Sequence, residues 1–259
     1  MPLRKKKSLG QHFLSSKTIL GKIAGAALIN PNETILEIGP GEGGLTRELL
    51  VRGAKVIAVE KDGRLIPGLK QKFQNEIASG MLTLVHDDIL QVDPRKIIQP
   101  AQNYKIVANI PYYITGAILR KFLGCDFQPC IMILLLQREV AERVIAKNGK
   151  ENLLSLSVKV YGKPRLLFKI PRGAFSPPPK VDSAVISIQD ISKKFFDTAD
   201  EKIFFGLLRS GFKSRRKMLL NNLPFRKEKS LEILERASID KKSRPENITL
   251  EQWRKIASL

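Results

Sequence analysis

A strand that passes through a glycine-rich turn straight into a helix leaves few architectures open. Thr34-Ile-Leu-Glu-Ile38 is a short apolar run suited to a buried parallel strand. It enters Gly39-Pro-Gly-Glu-Gly-Gly44, and Leu45-Thr-Arg-Glu-Leu-Leu50 then has helical spacing. Such a turn lets a ligand approach the backbone and points unpaired N–H groups at it. Further apolar runs follow at Lys55–Val59, Met81–Val85, Tyr104–Ala108 and Cys130–Leu136, with helical stretches between them, including Glu139–Ala146. This alternation predicts an α/β domain with a mostly parallel sheet covered on both faces. Leu166–Ile170 and Ala184–Ile188 read as later strands flanking the proline-rich turn Ser176–Pro179. After Asp190 the pattern turns helical, over Lys202–Phe212, Arg215–Asn222, Leu231–Ala237 and Leu250–Ile256. Two domains are expected, residues 1–190 and a small basic helical domain at 191–259.

Four successive strand ends carry ligand-type residues. Open α/β sheets bind ligands at the carboxyl ends of their strands. Glu60 ends the second run, about 20 residues past the glycine turn, where a carboxylate suits a ribose diol. Asp88, after the third run, can accept from an adenine amine. The fourth run ends in Asn109-Ile-Pro-Tyr-Tyr113. Asn109 can accept a hydrogen bond from an exocyclic NH2 group. Pro111 biases Ile110 towards an extended conformation, so the Ile110 carbonyl can serve as a second acceptor. Tyr112 can stack on a flat heterocycle. Gly39-x-Gly41-x-x-Gly44 with Glu60 also satisfies a dinucleotide fingerprint, which would make the chain an oxidoreductase. Glu37 weighs against that, because a pyrophosphate would meet its charge; a cationic sulfonium ligand tolerates it better.

The chain has 259 residues, with 45 Lys and Arg against 25 Asp and Glu, a formal net charge of +20. That bias argues for a polyanionic partner. From Ile191 onward there are 17 basic and 9 acidic residues, so the tail is nearly twice as basic per residue as the rest. The two cysteines, Cys125 and Cys130, lack the neighbours of a zinc set, so no metal is expected; Cys130 reads as a core residue and Cys125 as an inert thiol. Both suit a reducing compartment. Neither a secretory leader nor a membrane span is expected, and a cytoplasmic location follows.

Glu37-Ile-Gly-Pro-Gly41, Glu60, Asp88-Ile-Leu90 and Asn109-Ile-Pro-Tyr112 resemble the motifs of S-adenosylmethionine-dependent N6-adenine methyltransferases. Gly10-Gln-His-Phe-Leu14 and Phe175-Ser-Pro-Pro-Pro-Lys-Val-Asp-Ser183 narrow the resemblance to the ribosomal RNA adenine dimethyltransferases, as do Gln137–Arg143 and Arg215–Lys217. It runs from about Ser8 to the end of the chain. It departs from the family's usual pattern at His12, where Asn is common, and at Met218–Leu220, where a more polar stretch is usual. The resemblance implies a Rossmann-like domain with a seven-stranded sheet. It implies two methyl transfers from S-adenosylmethionine to N6 of each of two adjacent adenines in a small-subunit ribosomal RNA hairpin. Asn109, Ile110, Pro111, Tyr112 and Phe175 would act at the base, with Tyr112 and Phe175 sandwiching it. His12, Leu14, Gly39, Gly41, Glu60, Asp88 and Asn109 would hold the cofactor. Lys213, Arg215, Arg216 and Lys217, on one helix, would meet RNA phosphates, and a monomer working on a small-subunit precursor particle is expected. Two other readings stay open: a large-subunit ribosomal RNA methylase conferring antibiotic resistance, and a non-catalytic RNA-binding assembly or transcription factor on the same scaffold.

Overall fold

The computed structural model describes residues 12–99, 103–214 and 216–259. Their nine strands are β1 (Phe13–Leu14), β2 (Thr34–Ile38), β3 (Lys55–Glu60), β4 (Leu82–His86), β5 (Tyr104–Asn109), β6 (Ile131–Gln137), β7 (Lys163–Ile170), β8 (Phe175–Ser176) and β9 (Ser183–Gln189). Seven form one sheet in the order β4-β3-β2-β5-β6-β9-β7, and β1 pairs antiparallel with β8. The ladders from β4 to β6 are parallel, and β9 runs antiparallel to β6. The chain packs into two compact units. One runs to Ala141 and resumes over Pro164–Ile191; the other comprises Glu142–Lys163 and Ser192–Leu259. Residues 142–163, which the sequence assigns to the first domain, therefore cluster with the second.

In the first unit β2 and the four residues Leu82–Val85 of β4 show the two kinds of strand. Every residue of β2 is buried, as expected for a central parallel strand flanked on both faces. β4 lies at the sheet edge and is mostly open to solvent. Helices Lys17–Ala26 and Gly44–Val51 pack on one face, where Ile23, Ala24, Leu45 and Leu49 join Ile35, Val107, Ile133 and Val185 in a continuous apolar cluster. Burying side chains of this size contributes about 1.5–3 kcal/mol each. Chain order runs outward from β2 through β3 to β4, then returns to place β5 on the other side of β2. The winding reverses between β2 and β5, and a crevice opens at such a point.

In the second unit Trp253 and Phe204 are fully buried. Helices Glu201–Gly211, Lys227–Arg236 and Leu250–Ala257 match the predicted ones to within a few residues. The helix predicted over 215–222 does not form. Residues 213, 214 and 216 are in turns, and a 3-10 segment spans Leu219–Asn221. Asn222 Nδ2 donates to Gly211 O (2.8 Å) and Ser214 O (3.0 Å), closing the carboxyl end of the preceding helix and turning the chain. Lys213 and Lys217 thus do not share a helix face, and Arg215 lies outside the described residues. Cys130 is half-buried rather than in the core, its thiol donating to Tyr104 O at 3.3 Å.

Candidate active site

The carboxyl ends of β2, β3 and β5, with the loop after β4, surround a cavity of about 180 Å³. His12, Gly39, Gly41, Glu60, Asp88, Asn109, Ile110, Pro111 and Tyr112 line it. Nine positions predicted from the sequence are therefore brought together by the fold. The glycine turn forms the floor. Gly39, Gly41 and Gly43 have positive φ, a region that L side chains avoid. At Gly41 a Cβ would also come within 2.8 Å of the Phe13 ring, so only glycine lets β1 close down on the turn. A Cβ at Gly39 would stand in open space, which leaves room for a ligand against the backbone.

Glu60 joins two strand ends. Its Oε2 accepts from Gly41 N (3.1 Å) and its Oε1 from Asp62 N (2.8 Å), so it fixes the glycine turn of β2 against the end of β3. Each oxygen keeps a lone pair for a further donor such as a hydroxyl. Burial raises the Glu60 pKa, and the two backbone donors offset part of the rise. Asp88 is held differently. Lys61 Nζ reaches its Oδ2 at 2.8 Å and Leu90 N its Oδ1 at 3.0 Å, and these two contacts hold the carboxyl below the usual range. A carboxylate kept ionised and aimed is a good acceptor for an amine.

Asn109 is set by its amide nitrogen. Nδ2 donates to His12 O at 3.3 Å, which leaves Oδ1 as an acceptor. Pro111 adopts φ −54°, ψ 127°, and Tyr112–Ile114 follows as one 3-10 turn. The Tyr112 hydroxyl meets Ser183 Oγ at 2.8 Å, and its ring stacks with His12 at 6.1 Å between centroids. His12 Nδ1 lies 2.8 Å from Pro177 O; a carbonyl only accepts, so this nitrogen carries the proton. One end of the cavity wall is thereby tied together by β1, β5 and the turn after β8.

Leu14 and Phe175 do not line the cavity. They are register partners in the β1–β8 pair, 7% and 4% exposed, and belong to the apolar cluster. Lys213, Arg216 and Lys217 are exposed residues of the second unit. Lys61 and Tyr113 are among the cavity residues that the sequence patterns did not assign. Lys61 anchors Asp88, and its only signal is adjacency to Glu60. Tyr113 lines the cavity with 62% of its surface exposed, an unusual position for a ring that size.

A ligand crevice at the strand ends of an open α/β sheet occurs in many families, so relatives decide the matter. The family model described as ribosomal RNA adenine dimethylase matches residues 3–259. A protein of Dehalococcoides mccartyi named ribosomal RNA small subunit methyltransferase A is 45% identical over 258 residues, covering 98% of this chain and 88% of that one. Its namesake in Fusobacterium nucleatum is 40% identical, with 98% and 96% covered. Among solved structures, a dimethyladenosine transferase from Plasmodium falciparum superposes with TM-score 0.79 at 28% identity, covering 95% of this chain and 96% of that one. The 23S rRNA methyltransferase ErmE gives 0.74 at 25% identity, with 94% and 97% covered. Motif order, strand order and similarity across the full length all agree, and the chain belongs to the ribosomal RNA adenine dimethylase family.

Proposed function

We propose that this chain dimethylates N6 of two adjacent adenines in a small-subunit ribosomal RNA hairpin, acting as a monomer on a precursor of the small subunit. The observation that carries the reading is the Asn109 amide in the cavity lining beside Pro111 and Tyr112, with Nδ2 engaged by His12 O so that Oδ1 is left as the acceptor. Small-subunit RNA is favoured over large-subunit RNA because relatives at 38–45% identity are named for the small subunit, whereas ErmE stands at 25%.

S-adenosylmethionine, when bound, supplies an electrophilic methyl group on a sulfonium. The residues present fit it. Glu60 takes the ribose hydroxyls and Asp88 the adenine amine. Gly39 and Gly41 would lie along the amino-acid part, with His12 closing over it and Leu14 packed behind the cavity wall. The target N6 is a weak nucleophile because its lone pair is delocalised into the ring. Asn109 Oδ1 and the Ile110 carbonyl accept from its two protons, which favours a pyramidal nitrogen and stabilises the developing positive charge. Removing one preorganised hydrogen-bonding group costs about 2.7–4 kcal/mol at an oxyanion hole, which sets the scale for a group aimed at developing charge. The remainder is in-line positioning. No general base is required, because the alkylated nitrogen is itself strongly acidic. Tyr112 stacks on the flipped base. Lys213, Arg215, Arg216 and Lys217 take phosphates from the basic second unit, where Lys213 and Arg216 lie in turns.

The test is mass-spectrometric mapping of dimethyladenine in ribosomal RNA from cells with and without this gene. Loss of two adjacent dimethyladenines from the small-subunit RNA is expected; loss from large-subunit RNA instead, or no loss, would refute the reading.

A further inference from the structure

Strand β7 ends the sheet, and its exposure alternates residue by residue. Inward, Phe168 and Ile170 pack on the apolar cluster. Outward, Arg165, Leu167 and Lys169 stand in solvent, and Arg172 and Lys180 beyond the strand are exposed as well. Residues 163–181 contain five basic side chains and no acidic one. Among the described residues, no carboxylate pairs with the side chains of Arg165, Lys169, Arg172 or Lys180.

A charged edge strand has an ordinary explanation, since lysines there discourage pairing with another sheet. The other edge of this sheet argues that more is involved. β4 is also exposed, at Thr83 and His86, and contains no Lys or Arg. Edge protection in this fold therefore does not require a run of cations.

The position is also informative. Five residues after Ile170 the chain reaches Phe175, which pairs with Leu14, and Pro177 O holds the His12 ring in the cavity wall. Asp182 pins the turn between them by accepting from Arg172 N (3.1 Å) and Arg138 Nη1 (3.2 Å). A cationic face thus leads from the sheet edge to the rim of the pocket within the first unit. Arg165 and Lys169 stand about 13 Å apart along the strand, with Leu167 between them. Two cations bracketing an apolar side chain suit a polynucleotide strand, with phosphates at the cations and a sugar or base face on the leucine.

We propose that the outer face of β7, continued by Arg172, grips the phosphodiester backbone of the RNA strand that flanks the target adenine. The inference rests on RNA being the substrate, and it adds a substrate-holding surface on the catalytic unit itself.

The test uses the full chain and a single-stranded ribosomal RNA fragment containing the target adenines, with affinity measured by fluorescence anisotropy across a salt series. R165A/K169A should weaken binding and lower the slope of log K against log salt by about 1.4, two contacts at about 0.7 each on a single strand. Cofactor affinity and thermal midpoint should stay at wild-type values, and R165K/K169R should restore the slope. K55A/K70A removes the same charge from exposed positions elsewhere on this unit and should leave the slope unchanged. An unchanged slope in R165A/K169A overturns the proposal, and so does an equal fall in K55A/K70A, which would mean general attraction only. If the β7 variants instead lose binding to a ribosomal protein but not to RNA, the face is a protein contact and the proposal fails. Wild-type chain that neither binds nor methylates the RNA would overturn the functional reading beneath it, a result distinct from all of these.

Discussion

Replacing Glu37 by glutamine should make the cofactor-free protein more stable at neutral and alkaline pH. Glu37 lies in β2 between Ala58 and Val107, 1% exposed. Its Oε2 has no hydrogen-bond partner, nor does the nearby Thr46 Oγ1. Burial, and then the charge of Glu60, raise its pKa from 4.5 to about 8, against a partial offset from Thr46. A raised carboxyl pKa means that the folded state holds a proton which the unfolded chain has already released. Stability is therefore full below the unfolded value of 4.5 and falls as pH rises towards 8. At 1.36 kcal/mol per unit, the loss across that window is roughly 5 kcal/mol, a large share of a typical domain's stability. Glutamine has nearly the same shape and does not titrate. Glu37→Gln should thus show a much flatter stability profile and exceed wild type by about 4 kcal/mol near pH 7.5. Urea denaturation at several pH values from 5 to 8, without cofactor, measures both. Parallel profiles for the two proteins, or a glutamine variant weaker than wild type at pH 8, would refute the reasoning.

Three other perturbations follow from the geometry. Glu60→Ala removes the acceptor shared by Gly41 and Asp62 and proposed for the ribose. It should cost about 1.5–3 kcal/mol of S-adenosylmethionine affinity, measured by calorimetry. Asn109→Ala should lower the single-turnover rate of both methyl transfers by roughly 100-fold or more, with cofactor affinity much less affected. Gly211→Ala, in the second unit, would drive a methyl group into the fully buried Trp253 and to 3.1 Å from Leu219. It should destabilise the chain by about 1–3 kcal/mol, read from its denaturation midpoint.

Local pattern alone was enough for the central strands. β2, β5 and β6 are buried on both faces, so each is a mostly apolar run, broken inside only by Glu37 in β2 and Lys105 in β5, and such runs are visible without neighbours. The site at their ends was legible for the same reason: Glu60 and Asn109 follow a run directly, Asp88 comes two residues beyond one, and a parallel sheet aligns those ends. Side-chain type at a strand terminus is a local property with a global consequence.

What depends on distant contacts could not be read this way. Residues 142–163 look like a continuation of the first domain. They are drawn into the second unit because Tyr161 packs with Phe196 and Phe205, donates to Glu201, and accepts Ser192 N on its carbonyl. Residues 215–222 have the composition of a basic helix, but Asn222 folds back on Gly211 and Ser214 and turns the chain. Leu14 and Phe175 belong to a motif in the sequence, and the β1–β8 pairing across 161 positions of chain buries both beside the pocket rather than in its wall. The sequence by itself determined the central strands and the residue types at their ends, because burial periodicity and strand termination are local. Tertiary structure alone decided the unit boundary, the shape of the basic segment and the burial of Glu37 with its Oε2 unsatisfied, because each depends on which distant residues remove a side chain from water.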